Sequence, residues 1–318
     1  MKTTCRVRDG FVAGLLAGLV VVFLFVFYDL GQRAPLQTPA FLWAAITRQA
    51  FTVPMAVAII GFVVIHFLAW GGLGTFAVFL IRWLSLPLDV LIGATYGLLF
   101  ASSVFYLSVS GIPEELVFSA PSWPAVLFVN GVGGAVMFLH MERSSVQLNL
   151  RSLMRFFRPN EVTRQGFYTG LVGGSVVGVW FLILDVILRG PLYTPATLGM
   201  ILFQGGVGTG IGSVDVTLMP ALGYGLWHFA FFMMVGVLMW VHFDVGATVQ
   251  FLFLQLLCVS IALDLSLIVM AVSLESWILR ELTWWAILIG NGLAAVAMGG
   301  YLMKRRPYDQ KDLWLESL

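Results

Sequence analysis

Ionisable side chains are rare in this chain, and several of them recur at matching places in its two halves. Asp29 and Arg33 lead into a Pro-Leu-x-Thr-Pro-Ala segment, and Asp185 and Arg189 lead into the same segment further along. An aspartate and an arginine four residues apart lie on one face of a helix, where they can pair. The pattern predicts either an ion pair that fastens a helix end or part of an outer site for a polar substrate.

Both copies of this pattern also predict a helix end followed by a short new helix. Pro35 and Pro191 cannot continue a helix. The Thr-Pro pairs at 38–39 and 194–195 suit an N-cap followed by the first helical position. The new helices either lie at the membrane interface or dip back into the membrane as re-entrant half-helices. The positive end of such a half-helix suits an anion.

His66 and His228 form a second matched pair. Each is followed by phenylalanine, and each falls inside the second long apolar segment of its half. An ionisable residue within the membrane is a functional hypothesis by default. Three interpretations stay open: a neutral histidine bonded to a neighbouring helix, a proton relay or polar substrate contact, and axial ligation of a b-type haem by one imidazole from each half.

Asp264 lies in the middle of an apolar segment and has no counterpart in the first half. A lone carboxylate in hydrocarbon is costly unless it is paired or protonated. Asp264 is therefore a candidate for proton or ion coupling, although a cation on a neighbouring helix would neutralise it equally well. The matched Asn130 and Asn291, and the matched Trp123 and Trp284, fit structural roles in helix contacts and at the interface.

The elements that must position these residues are membrane-spanning helices. Of the 318 residues, 60% are hydrophobic and only 10% are charged, whereas soluble domains carry about 25% charged residues. A hydrocarbon core about 30 Å thick needs about 20 helical residues, and unpaired backbone groups exclude other structures there. The sequence predicts an all-α polytopic bundle of eight spans, near 10–31, 54–83, 87–110, 123–141, 166–188, 218–241, 246–273 and 283–303.

The two halves of the chain read as tandem repeats. Residues 8–40 and 164–196 align without a gap, and 16 of the 33 pairs are identical. The predicted fold is two parallel four-helix repeats, with short interfacial or re-entrant helices after the first and fifth spans. The first predicted repeat is 8–143 and the second is 164–306. Between them lies a basic cytoplasmic linker, 144–163, that is either amphipathic or a plain loop, and a C-terminal tail, 307–318, follows the second repeat.

Basic residues orient this bundle. They cluster before the first span, in the middle linker and after the last span, and such clusters mark the cytoplasmic side. The first apolar segment is long enough to be a retained helix rather than a signal peptide. We expect an integral protein of a bacterial-type inner or plasma membrane, with both termini in the cytoplasm.

Motifs for chemistry are few. The sequence has no phosphate-binding loop, zinc spacing or catalytic serine motif, and a net charge of +1 gives no reason to expect nucleic acid. We expect no enzyme activity, no metal and no cofactor, with haem b on His66 and His228 as the alternative. The leading function is a transporter or permease with a site near the axis that relates the two halves.

Two other functions stay open. One is a non-catalytic subunit of a larger membrane complex, and the other is a b-type haem protein or membrane enzyme. The expected partners are the lipid bilayer and either other membrane subunits or further copies of this chain.

The orientation is testable with reporters. Two reporters would be fused separately to each terminus: a fluorescent protein that is active in the cytoplasm and a phosphatase that is active only outside it. Because both termini are expected in the cytoplasm, both fluorescent fusions should be fluorescent and both phosphatase fusions should be inactive. An active phosphatase at one terminus only would contradict an even number of spans.

Overall fold

The computed structural model describes residues 6–47, 54–84, 86–109, 120–145, 154, 157–204, 217–244 and 284–305. Within these ranges 90% of residues are helical and none lies in a strand. The all-helical prediction is therefore confirmed for the part of the chain that the structure describes.

Nine helices are described, and we number them in chain order. They are α1 Val7–Gly31, α2 Gln37–Thr47, α3 Met55–Leu84, α4 Val90–Val109, α5 Trp123–Ser145, α6 Glu161–Leu188, α7 Tyr193–Gln204, α8 Leu218–Asp244 and α9 Trp284–Arg305.

Seven of these helices, all except α2 and α7, are long and apolar enough to cross a membrane. The chain is therefore a multi-pass integral membrane protein. Seven of the eight predicted spans coincide with these helices. The predicted span 246–273, which contains Asp264, lies outside the described residues, so the count of eight stays a prediction.

The helices form two compact units. The first comprises Met1–Thr163 with Pro195–Ala230, and the second comprises Arg164–Thr194 with Phe231–Leu318.

In the first unit, α1 crosses α3 with their backbones in contact. A Cβ atom at Gly74 would overlap the carbonyl oxygen of Gly10, and a Cβ atom at Gly14 would overlap that of Trp70. Only glycine permits this approach. In lipid the hydrophobic effect does not drive helices together, so their association depends on such close packing. The contact also fixes the two helices as antiparallel, because the start of α1 meets the end of α3.

A second close crossing joins α4 to α5. A Cβ atom at Gly97 would overlap the carbonyl oxygen of Asn130, and one at Gly134 would overlap that of Gly93. At this crossing α4 widens into one π-helical turn, Gly97–Ala101. Such turns interrupt the regular backbone hydrogen bonds and are frequent at functional sites.

The short helix α2 lies inside the first unit rather than on its rim. Phe41, Ala44 and Ala45 are at most 2% exposed. Together with Leu42 they pack on Phe62 of α3, and side chains of α1 and α4 complete the cluster. A helix lying flat at an interface would expose one face, so the burial of α2 favours the re-entrant interpretation of this segment over the interfacial one.

In the second unit, the first half of α6 packs on the second half of α8. A Cβ atom at Gly236 would overlap the carbonyl oxygen of Gly166, and one at Gly170 would overlap that of Phe232. A buried apolar cluster then joins both helices to α9, formed by Val177, Phe232, Val235, Met239, Ala294, Met298 and Leu302.

Two glycines two residues apart in α3, and therefore on different faces of that helix, give a direct test of the crossing. Gly74→Ala should lower the free energy of unfolding by about 1–3 kcal/mol, because the added methyl group overpacks against backbone atoms. Gly72→Ala should leave it unchanged or raise it by up to about 1 kcal/mol, because nothing lies within 4 Å of the added carbon and alanine is the better helix former. Unfolding of the purified protein in mixed micelles measures both, and equal effects would contradict this packing.

Candidate functional site

The elbow after α1 is the first candidate site. The helix ends at Gly31, and the chain reverses through two residues in the left-handed region, Arg33 (φ 58°) and Leu36 (φ 62°). Left-handed backbone is uncommon for residues with a side chain, so this turn must be held by contacts around it.

Asp29 supplies that contact. Its carboxylate accepts the backbone N–H of Thr38 at 2.8 Å and the Thr38 hydroxyl at 2.6 Å. Asp29 and Thr38 are only 2% and 1% exposed. Because α2 begins at Gln37, Thr38 lies in the first helical turn and is not the N-cap that the sequence predicted. The carboxylate of Asp29 performs the capping by pairing one of the free N–H groups of that turn.

The elbow between α6 and α7 makes the same two bonds. Asp185 accepts the backbone N–H of Thr194 at 2.7 Å and its hydroxyl at 2.6 Å, and both residues are buried. The turn again contains left-handed backbone, at Gly190 (φ 104°) and Leu192 (φ 66°).

The two predicted pairs of aspartate and arginine differ. Arg33 lies two residues beyond the end of α1 with left-handed backbone, so the helical spacing rule no longer applies to it. Its side chain is exposed. Arg189 keeps the helical bond from its N–H to the carbonyl oxygen of Asp185 at 2.9 Å, and its charge interacts with the Asp185 carboxylate. Its guanidinium also lies over the ring of Tyr193 at 5.5 Å, a cation–π contact. In both elbows the direct hydrogen bonds of the aspartate go to threonine.

This geometry also bears on the anion hypothesis. The start of a half-helix attracts negative charge, and in both elbows the chain supplies that charge from its own aspartate. A substrate anion would have to displace a buried carboxylate that already accepts two hydrogen bonds.

His66 lies in the interior of the first unit. Its Nε2 atom is 2.9 Å from the carbonyl oxygen of Gly18 on α1, and the rings of Phe62 and Trp70 flank it at 5.0 and 6.3 Å. A carbonyl oxygen only accepts, so Nε2 carries the proton and donates. This is the neutral, helix-bridging histidine that was one of the three interpretations.

The bond to Gly18 fixes which nitrogen of a neutral His66 ring could bind a metal. Axial ligation needs an imidazole nitrogen with a free lone pair, and with Nε2 donating to Gly18 that nitrogen is Nδ1. Haem binding through His66 and His228 stays a prediction of the sequence.

His228 differs from His66 in its surroundings. It is half-buried, and its ring lies 5.9 Å from that of Tyr224 and 5.5 Å from that of Phe229. Asp264, the remaining candidate, lies outside the described residues. Among the described residues no group of three histidine, cysteine or acidic side chains is arranged to hold a metal ion.

A buried polar pair lies beside the π-helical turn. The Asn130 amide on α5 donates to the Ser102 hydroxyl on α4 at 3.2 Å, and both residues are almost fully buried. The predicted bond of Asn130 to another helix is therefore confirmed. Polar groups beside an irregular turn, inside a membrane-spanning helix, are the described feature most typical of a ligand site.

Sequence reasoning missed Asp89, which caps the start of α4. Its carboxylate accepts the N–H groups of Leu91 and Ile92 at 3.1 and 3.0 Å and the hydroxyl of Thr163 near the start of α6. Burial raises the pKa of Asp89, and the hydrogen bonds from Thr163 and the backbone oppose that rise. The only signal in the sequence is an aspartate directly before an apolar segment, which is typical of any N-cap.

Comparison with known proteins adds nothing to these contacts, since no family model, curated protein or solved structure matches the chain.

An elbow held by the bond between Asp29 and Thr38 and an elbow held by an ion pair between Asp29 and Arg33 predict different effects of mutation. Thr38→Val should lower the free energy of unfolding by about 1.5–3 kcal/mol, because it removes a hydrogen bond to a buried carboxylate. Arg33→Gln should change it by less than about 0.5 kcal/mol, because that side chain is exposed. Equal losses in the two variants would instead support an ion pair between Asp29 and Arg33.

Proposed function

We propose that this protein is a membrane transporter or permease built from two tandem repeats of the same orientation. Support for the repeat comes from the elbows, where Asp29 with Thr38 and Asp185 with Thr194 make the same two bonds to within 0.1 Å. The close backbone contacts near the starts of α1 and α6 also correspond, since Gly10 meets Gly74 in one half and Gly166 meets Gly236 in the other.

The observation that carries the transport proposal is the buried half-helix α2. A helix of 11 residues is too short to span, and its burial against three spanning helices provides the protein surroundings that a broken helix needs at membrane depth. Interrupted helices of this kind form substrate and ion sites in secondary transporters. The π-helical turn of α4 is a second interruption in the same unit.

Three of the candidate residues have scaffold roles. Asp29, Asp185 and His66 each hold a helix or an elbow through a buried hydrogen bond. For the polar site we propose His228 and Asp264, the two remaining ionisable candidates inside predicted spans, with Asp264 carrying a coupling proton or ion. Arg33 and Arg189, on the outer side, would attract anions to the outer entrance of this site.

The membrane is proposed to be a bacterial-type inner or plasma membrane with both termini in the cytoplasm. Support comes from the basic residues at the ends of the helices: Arg6 and Arg8 flank the start of α1, and Lys304 and Arg305 close α9. Phospholipid headgroups of the inner leaflet would pair with them.

A non-catalytic subunit of a larger complex is the second candidate. It is favoured by the internal pairing of Asp29, Asp185 and His66, because a protein that only supports a partner needs its polar residues for its own fold. Other membrane subunits or further copies of this chain would then cover its apolar surface.

An unbiased uptake assay separates the two. Proteoliposomes containing the purified protein would be incubated with a mixture of amino acids, carboxylates, sugars, nucleosides and inorganic ions, with and without a pH gradient, and their contents measured by mass spectrometry. We expect at least one compound to accumulate above protein-free liposomes. Asp264→Asn should abolish its dependence on the gradient, and His228→Phe should reduce its uptake at least about tenfold.

The matched control is Thr75→Val, which removes a hydroxyl that only bonds its own helix at Gly71 and should retain uptake. The absence of any accumulated compound, together with a native mass far above that of this chain in mild detergent, would overturn the transport proposal in favour of the subunit.

A further inference from the structure

Three side-chain donors of the first unit are buried without a hydrogen-bond partner among the described residues: the indole N–H of Trp43 on α2, the phenolic hydroxyl of Tyr106 on α4 and the hydroxyl of Thr197 on α7. The first two belong to aromatic side chains on helices that pack together. A buried donor left unpaired bears the full cost of losing its water, so such groups are rare and mark places where something else supplies the acceptor.

Apolar and aromatic contacts link the helices that carry the two aromatic donors. Trp43 and Phe105 both pack on the cluster that buries α2, and the ring of Phe105 meets that of Tyr106 edge to face at 5.2 Å. The ring of Tyr106 also meets that of Phe203 edge to face at 5.2 Å. Phe203 in turn stacks on Trp123 at 5.4 Å with the two planes 25° apart. A continuous series of apolar contacts therefore joins Trp43 to Tyr106 and the rings beside it.

The chemistry of these groups defines what they would bind. An indole N–H can only donate, so the ligand must present an acceptor oxygen. The described surroundings offer no formal charge and no metal ligand set, and their aromatic faces favour a flat conjugated ring over a flexible chain. Tyr106 lies in the last turn of α4 and Trp123 begins α5, so the region lies at the end of the unit that adjoins the membrane surface.

We propose that Trp43 and Tyr106 form a binding site for a membrane-soluble conjugated carbonyl compound of the quinone class. Its carbonyl oxygens accept hydrogen bonds from the indole and the phenol, and its ring packs among Phe105, Phe203 and Trp123. Binding involves no covalent or redox step, and it does not depend on the transport activity proposed above.

The test uses the purified full-length protein in nanodiscs titrated with decyl-ubiquinone, followed by tryptophan fluorescence quenching and thermal stability. Wild type should quench saturably and gain thermal stability. Tyr106→Phe and Trp43→Phe, which each delete one donor and keep an aromatic ring, should weaken binding at least about tenfold.

Tyr96→Phe is the matched control, because it deletes a phenol of the same helix that already donates to the carbonyl oxygen of Leu73 at 2.7 Å. It should lower the melting temperature and leave quinone affinity unchanged. Tyr106→Phe should show the reverse, with no loss of melting temperature in the absence of quinone, because no internal bond is lost.

Several outcomes would overturn the site. They are non-saturable quenching in wild type, equal affinity in Tyr106→Phe and wild type, or a loss of stability in Tyr106→Phe as large as in Tyr96→Phe. Saturable binding of a diacyl phospholipid that Tyr106→Phe abolishes, without quinone binding, would replace the quinone with a lipid ester. Quinone binding without any transported compound would leave this site standing while the transport proposal fails.

Discussion

The absence of water around the helices is the constraint on which the rest of this structure depends. Where a helix begins in the buried interior of the protein, its free N–H groups must find partners within the protein. At both elbows the partner is an aspartate in the last turn of the preceding helix, whose two oxygens pair the N–H and the hydroxyl of a threonine nine residues later. Without this bond, the first turn of α2 would lose a partner and a buried carboxylate would be left unpaired.

A second consequence of the same constraint is the way in which the helices touch. Apolar side chains gain little from leaving lipid for protein, so the contacts depend on close backbone approach and a few internal hydrogen bonds. Gly74 against Gly10 and Gly236 against Gly166 provide the approach, while His66 and Asn130 provide bonds between helices. Asp29, His66 and Asn130, polar residues of the first unit, therefore build its scaffold.

Hydropathy alone predicted the helices well, because a span of lipid fixes both their length and their backbone state. The predicted span 54–83 is Met55–Leu84 in the structure, and the bond from a buried histidine to a neighbouring helix was among the stated alternatives. The spacing rule that paired Asp29 with Arg33 failed because α1 ends at Gly31, so the helical geometry on which the rule rests is absent.

Other features depend on tertiary contacts that no local pattern carries. The bond between Asp89 and Thr163 joins residues 74 apart, and the unpaired donors of Trp43 and Tyr106 become visible only once their surroundings are known. The left-handed backbone of Leu36 and Leu192 could not be predicted from the sequence either, since leucine rarely adopts this conformation.

Labelling of the elbows tests most directly whether the two halves have the same orientation in the membrane. Pro35→Cys and Pro191→Cys, each exposed at a matched turn, would be introduced into a background with Cys5 and Cys258 replaced by serine. A membrane-impermeant maleimide added to intact cells should label both, whereas Ser144→Cys at the opposite end of α5 should react only after permeabilisation. Labelling of one elbow from outside and the other only from inside would contradict two halves of the same orientation.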